Sequence, residues 1–165
     1  MAKWGSTDFE ELKKLRENLR MFDKFDRQAL CEKLSKEIAA RLLRMVVKRT
    51  PVGVKPQDLD EKSAKYWSGY KGGNLRRNWG ITTIAKSGKN YVICVRNISE
   101  YASYVEYGHR QKIGRYVPAL GKRLTKGWVK GRFMLTVSEK EIKSILPSLL
   151  EKRISQAIKE AFNAQ

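Results

Sequence analysis

The chain is poor in the residues that usually build a chemical centre: it has one histidine, His109, two cysteines, Cys31 and Cys94, and 17 acids against 35 bases. With no CxxC and no paired histidines there is no recognisable ligand set for zinc, so neither a metal nor another cofactor is expected. Both cysteines fall among apolar neighbours, one in a predicted helix and one in a predicted strand. A reduced thiol behaves there as a small hydrophobe, so both are expected in the core. No stretch approaches the roughly 20 apolar residues of a membrane span, so no membrane partner is expected. The opening MAKWGSTDFEE lacks the apolar core and small-residue cleavage site of a secretory signal, and free thiols fit a cytosolic setting. There is no GxxxxGK[ST], no GxGxxG and no nucleophile elbow. Lys71-Gly72-Gly73-Asn74 is glycine-rich but reads as the start of a strand, which makes a weak phosphate loop. Glu106 and His109 lie close in sequence, yet no second carboxylate joins them, and acid–base roles rest on geometry rather than proximity. The chain is not expected to be an enzyme.

What the sequence has in excess is positive charge, +18 on 165 residues. Such a field draws polyanions and acidic protein surfaces without choosing among them. With 41% apolar residues, a chain of this length buries a conventional core without staples. The expected fold class is α+β: a small antiparallel sheet packed by a long N-terminal helix and a C-terminal helix, with long basic loops.

Residues 1–25 read as an N-terminal amphipathic helix or arm. Ser6 to Asp8 supply caps, and Phe9, Leu12, Leu15 and Leu19 form one face, to pack on the body or on a neighbouring subunit. Residues 26–165 read as one domain. Leu30, Leu34, Ile38, Leu42, Met45 and Val46 predict a helix from Asp26 to Lys48, stopped by Thr50-Pro51. The segment 52–73 has no apolar period and reads as a long loop. Its Tyr66, Trp67 and Tyr70 are candidate anchors, either stacking on bases or sitting in a protein interface. Strands are expected at Leu75–Ala85 and Asn90–Asn97, joined by a turn in which Gly88 supplies positive φ, with both sheet faces partly covered, by helices on one side and by a neighbour or a loop on the other. A short helix at Ser99–Tyr107 is expected to be capped by Ser99, ended by Gly108 and pressed onto the sheet by Tyr101, Tyr104 and Val105.

Between Arg110 and Arg132 lie eight Lys and Arg and no acid. Arg110, Lys112, Arg115, Lys122, Arg123, Lys126, Lys130 and Arg132 are the candidate electrostatic contact surface, interleaved with Tyr116, Trp128 and Phe133. The segment matches no named nucleic-acid module, so nonspecific DNA contact and contact with an acidic protein both stay open. Phe133, Met134 and Leu135 read as a return to the core. Ser138 and Glu141 form a capping box opening a C-terminal helix that Pro147 should kink or restart.

Four runs in this order carry more information than any one alone: Lys48-Arg49-Thr50-Pro51-Val52, Gly73-Asn74-Leu75-Arg76-Arg77-Asn78-Trp79, Tyr101 to His109 with Tyr104-Val105-Glu106-Tyr107-Gly108-His109, and Gly131-Arg132-Phe133-Met134-Leu135. From about Leu30 to Leu150 the chain resembles the small tail-component family of tailed phages, prophages and phage tail-like particles. There a Pro-Val-Asp-Thr-Gly-Asn-Leu-Arg run passes directly from helix to strand; here Pro51-Val52 and Gly73-Asn74-Leu75-Arg76 are split by the 52–73 loop. The resemblance implies a virion structural protein at the head-proximal end of the tail. It would join or complete the tail as a homo-oligomeric ring, expected to be a hexamer, against neck, connector and tail proteins, after assembly in the host cytoplasm. It implies structural roles for Pro51, Gly73, Asn74, Leu75, Arg76, Tyr104, Val105, Glu106, Gly108, His109 and Phe133. Glu106 suits a structural acceptor, of backbone amides or of nearby arginines. A free-standing, non-enzymatic basic nucleic-acid-binding protein is the alternative.

Overall fold

The apolar spacing from Leu30 to Val46 produces helix α1, Arg27–Arg49, in the computed structural model, which describes residues 13, 14, 16, 17, 27–88 and 90–163. Phe9, Leu12, Leu15 and Leu19 of the predicted N-terminal helix lie outside the described residues. Lys13, Lys14, Arg16 and Glu17 are helical and exposed. Helix α1 stops where Thr50-Pro51 predicts. The Thr50 N–H and hydroxyl both turn back on the Val46 carbonyl, at 2.9 and 2.7 Å, and Pro51 cannot continue the turn.

Segment 52–73 is more ordered than a loop. Asp60 accepts a hydrogen bond from the Ser63 amide and starts a short helix, α2, Glu61–Lys65. Gly73, left-handed at φ 73°, then opens a second short helix, α3, Asn74–Arg77, where a strand was expected from Leu75. The helical turn is what drops Leu75 into the core.

The hairpin that follows is broken into two ladders. Strand β1, Trp79–Ile81, pairs with β4, Val95–Asn97; β2, Ala85–Ser87, pairs with β3, Asn90–Val92, across the turn containing Gly88 at φ 60°. The break has a local cause: the Cys94 N–H donates to the Thr82 hydroxyl, so a side chain takes over a ladder bond. Tyr91, Ile93 and Val95 are half-buried on one face, while Val92, Cys94 and Arg96 are exposed on the other. Within the subunit one face is therefore packed and the other is open, so the expected loop does not cover it and a neighbour is what is left to do so. The expectation of buried thiols fails: Cys94 points to this open side, and Cys31 lies exposed near the start of α1, ahead of the buried Leu34, Ala39 and Val46.

Helix α4, Ala102–Tyr107, ends at Gly108 as expected, but its start differs. Ser99 offers its backbone carbonyl to the Ala102 amide and its hydroxyl to Asn78, rather than a side-chain cap. Val105 packs on the core, whereas Tyr101 and Tyr104 are exposed. The basic segment leaves from here as a two-stranded ribbon rather than a loop. Strand β5, Gly108–Arg110, pairs with β8, Trp128–Lys130, and β6, Tyr116–Val117, pairs with β7, Lys122–Arg123, around a 3-10 turn at Pro118–Leu120.

Helix α5, Met134–Asn163, begins earlier than the Ser138 capping box predicts. Ser138 is buried inside the helix with its hydroxyl on the Met134 carbonyl, and the cap comes instead from Glu106, far away in sequence. The helix neither stops nor restarts at Pro147. Pro147 and Lys143 are both exposed, so the carbonyl that loses its partner has access to water. Helices α1 and α5 run antiparallel: Arg49 meets Ser138 and Glu141 at one end, and Glu37 meets Arg153 toward the other. The core forms around Val46, Leu75 and Met134, with Leu42, Trp79, Ala102, Val105 and Leu135 packed against it, an α+β arrangement of two long helices and small antiparallel sheets.

Candidate functional site

The motif residues converge on one crossing of the backbone. The Thr50 carbonyl accepts two bonds from the Arg76 guanidinium, at 3.0 and 2.7 Å, and the Thr50 hydroxyl accepts the Trp79 indole N–H at 2.8 Å. Asn97 holds the Leu75 carbonyl at 2.7 Å, and Asn74 reaches the Tyr101 hydroxyl. Thr50 is fully buried, so these bonds replace solvation that the helix end has lost.

On the other side of the core, Glu106 is 5% exposed. One carboxylate oxygen accepts the Leu135 amide at 3.0 Å; the other accepts the Thr136 amide and hydroxyl, each at 2.9 Å. The negative group thus sits at the positive end of α5. Two further backbone bonds, Arg132 N–H to the Val105 carbonyl and Phe133 N–H to the Glu106 carbonyl, lock α4 to the segment that leads into α5. A Cβ at Gly108 would overlap the Val129 carbonyl, and one at Gly131 the Glu106 carbonyl, so glycine is needed at both. Met134 and Leu135 return to the core as expected, but Phe133, at φ 50°, remains exposed. His109 lies in β5 with its ring edge toward Tyr104, Nε2 3.4 Å from Gln111, and Nδ1 buried without a partner. With both oxygens of Glu106 committed to α5, the arrangement offers no acid–base pair. Among the described residues no group of His, Cys, Asp and Glu could hold a metal.

All eight candidate cations of the ribbon are exposed. Segment 52–73 buttresses the ribbon's tip: the Ser63 hydroxyl donates to the Pro118 carbonyl at 2.7 Å, and the Trp67 indole N–H donates to Ala119 at 2.6 Å. Trp67 also meets Tyr70 edge-on, with centroids 4.8 Å apart. Trp67 is therefore used within the subunit, while Tyr66 and Tyr70 remain exposed.

A family model described as "Bacteriophage HK97-gp10, putative tail-component" matches residues 12–108, more than half of the chain. The chain belongs to the HK97-gp10-like family. No curated protein and no solved structure matches it. In this phage tail component the match ends at Gly108, where the ribbon begins, so the Thr50 and Arg76 contacts lie inside it and the basic ribbon and α5 lie beyond it.

One surface of the tail component went unnoticed in the sequence. Ile98, Tyr101, Tyr104 and Tyr107 recur at steps of three and are all exposed, Ile98 at 69% and Tyr107 at 61%. Tyr101 and Tyr104 were expected to press onto the sheet with Val105, which hid their exposure. Among the described residues no helix is long and apolar enough to cross a membrane.

Proposed function

We propose that this tail component completes the head-proximal end of the phage tail as a structural subunit of a closed ring, a hexamer, joining the tail to neck and connector proteins. The observation that supports this reading is the row Ile98, Tyr101, Tyr104 and Tyr107. Tyrosine combines a large apolar body with a polar tip and is enriched in protein interfaces. Three tyrosines and an isoleucine left open on a subunit whose Thr50, Arg76 and Glu106 are engaged internally suit a partner surface. Identical subunits closing a ring use two different patches, one per neighbour, and the open Val92, Cys94 face of the hairpin offers a second. The role is one of binding and assembly, not catalysis, in keeping with the commitment of Glu106 to α5.

Cryo-electron microscopy of purified particles tests the reading, with a ring of this subunit expected at the head-proximal tail end. Absence of the chain from purified virions and tails would overturn it. Native mass spectrometry of the Tyr104→Asp, Tyr107→Asp double variant should show loss of the oligomer with the fold retained by circular dichroism.

A further inference from the structure

The eight basic residues of the ribbon are not equivalent, because a strand sends alternate side chains to opposite faces. Arg110 pairs directly with Trp128, and Gly108 with Lys130. The register extends one pair past the assigned strands, since the Gln111 N–H donates to the Gly127 carbonyl at 2.8 Å; beyond it the chain turns, with the Arg115 N–H on the Lys112 carbonyl. Lys112 and Lys126 are the next residues out from that pair. Arg110, Lys112, Lys126 and Lys130 share one face with Trp128, whereas His109, Gln111 and Val129, all half-buried, share the other. Arg123 is tied to the Gly114 carbonyl nearer the tip.

We propose that this outer face of the β5–β8 ribbon is a sequence-independent binding surface for the sugar–phosphate backbone of DNA. The proposal rests on the reading above and names the partner of one surface of the same subunit. Like charges close together across a ribbon repel, so Lys112 and Lys126, just beyond the Gln111–Gly127 pair, are a local cost that a bound anion relieves. Two classes of anion fit the charge, and the composition of the face decides between them. Protein interfaces gather apolar residues at their centre, favour Arg and are depleted of Lys. Here three Lys and one Arg surround a single aromatic, Trp128, 51% exposed, with no apolar companion on the face. Cations interleaved with an exposed aromatic are the composition that tracks a nucleic-acid backbone. A two-stranded ribbon is also narrow enough to enter a DNA groove about 12 Å wide. No Asn or Gln shares the face to read adenine, and the contact proposed for its cations is with the backbone rather than with a particular base sequence.

The test uses the full chain, with fluorescence anisotropy on a mixed-sequence duplex, the corresponding single strand and polyglutamate over a range of salt. One variant replaces Arg110, Lys112, Lys126 and Lys130 by Ser. A charge-matched control replaces Lys140, Lys143, Lys152 and Lys159, all exposed on α5, by Ser. Each backbone contact contributes about 0.9 to the slope of log K against log salt on duplex DNA, so the ribbon variant should lose a slope of about 3 to 4, while the control loses far less. Equal losses in the two variants would overturn the proposal in favour of diffuse net charge. Tighter binding to polyglutamate than to either DNA would overturn it in favour of an acidic protein. The Lys126→Glu variant, which sets an opposite charge close to Lys112, keeps the ribbon paired and should lower DNA affinity at least about tenfold; unchanged affinity would refute the site. Trp128→Ala should weaken the single strand by about fivefold or more if bases stack there, and leave the duplex little changed. These measurements are made on the isolated chain, so DNA binding can fail while the subunit is still found in particles, and can hold if it is not.

Discussion

Replacing Glu106 by Gln tests whether this buried carboxylate holds α5 in place or serves chemistry. The wild-type group accepts three bonds, from the Leu135 amide and from the Thr136 amide and hydroxyl. Glutamine keeps one carbonyl oxygen, which can serve the two Thr136 donors, but turns an NH2 toward the Leu135 N–H. A buried amide left without an acceptor costs about 1–3 kcal/mol. Loss of the negative charge at a helix N-terminus adds about 1 kcal/mol. The expected destabilisation is thus about 2–4 kcal/mol, and Glu106→Ala, which orphans both amides, should cost more. Urea unfolding followed by circular dichroism reads the change as a shift in midpoint at constant slope. A Glu106→Gln midpoint within about 0.5 kcal/mol of wild type would refute the capping role. An acid–base residue would show the reverse pattern, intact stability with lost activity.

Thr50→Val removes the acceptor of the Trp79 indole N–H and should cost about 1–3 kcal/mol; adding Trp79→Phe should recover part of it in a double-mutant cycle. Gly108→Ala drives a methyl into the Val129 carbonyl at positive φ and should abolish soluble expression, whereas Gly88→Ala, at positive φ in open space, should cost only about 1–2 kcal/mol in a thermal melt. Arg153 and then Arg41 hold the Glu37 carboxyl well below its ordinary 4.5, at about 2. A folded-state value depressed below the unfolded one contributes stability that is complete above about pH 4.5 and lost as pH falls toward 2. Glu37→Gln should therefore reduce the acid-induced loss of stability between pH 5 and about pH 2.5, read by urea melts. Both thiols should react with a disulfide reagent in the folded monomer, and protection of Cys94 on assembly would place the open hairpin face in a subunit contact.

The sequence made the long-range scaffold legible where one periodicity dominated. Helix α1, its stop at Thr50-Pro51, the Gly88 turn and the Gly108 corner were all readable from local chemistry. What it hid was whatever depends on a partner distant in the chain. The Ser138 capping box is a sound local signal, but Glu106 outcompetes it by capping α5 a turn earlier, and Ser138 is left inside the helix facing Arg49. Leu75 reads as strand by composition, yet Gly73 and the demand for a buried leucine bend Asn74–Arg77 into a helical turn. Cys94 alternates correctly with its neighbours; the sequence could not say that its face stays open among the described residues. Division of the basic segment into a cationic face and a half-buried face required the register, which no pattern of lysines supplies alone.

The excursion between Pro51-Val52 and Gly73-Asn74 and the basic ribbon beyond Gly108 form one device rather than two. Gly73 still delivers Arg76 to the Thr50 carbonyl, so the excursion from 52 to 73 leaves the crossing intact. What the excursion adds is reach. Ser63 and Trp67 grip consecutive carbonyls, Pro118 and Ala119, at the turn of the ribbon, far in sequence from its base beside Glu106. A lone two-stranded ribbon is marginal in water. Carrying four like-charged side chains on one face makes it more so, and a second support at the tip offsets that cost. It follows that Trp67→Ala should leave the urea midpoint of the core nearly unchanged while speeding hydrogen exchange of amides near the tip, such as Leu124, which donates to the Arg115 carbonyl. Equal acceleration across α1 and α5 would mean that Trp67 supports the whole domain, and that the excursion and the ribbon are not a separable unit.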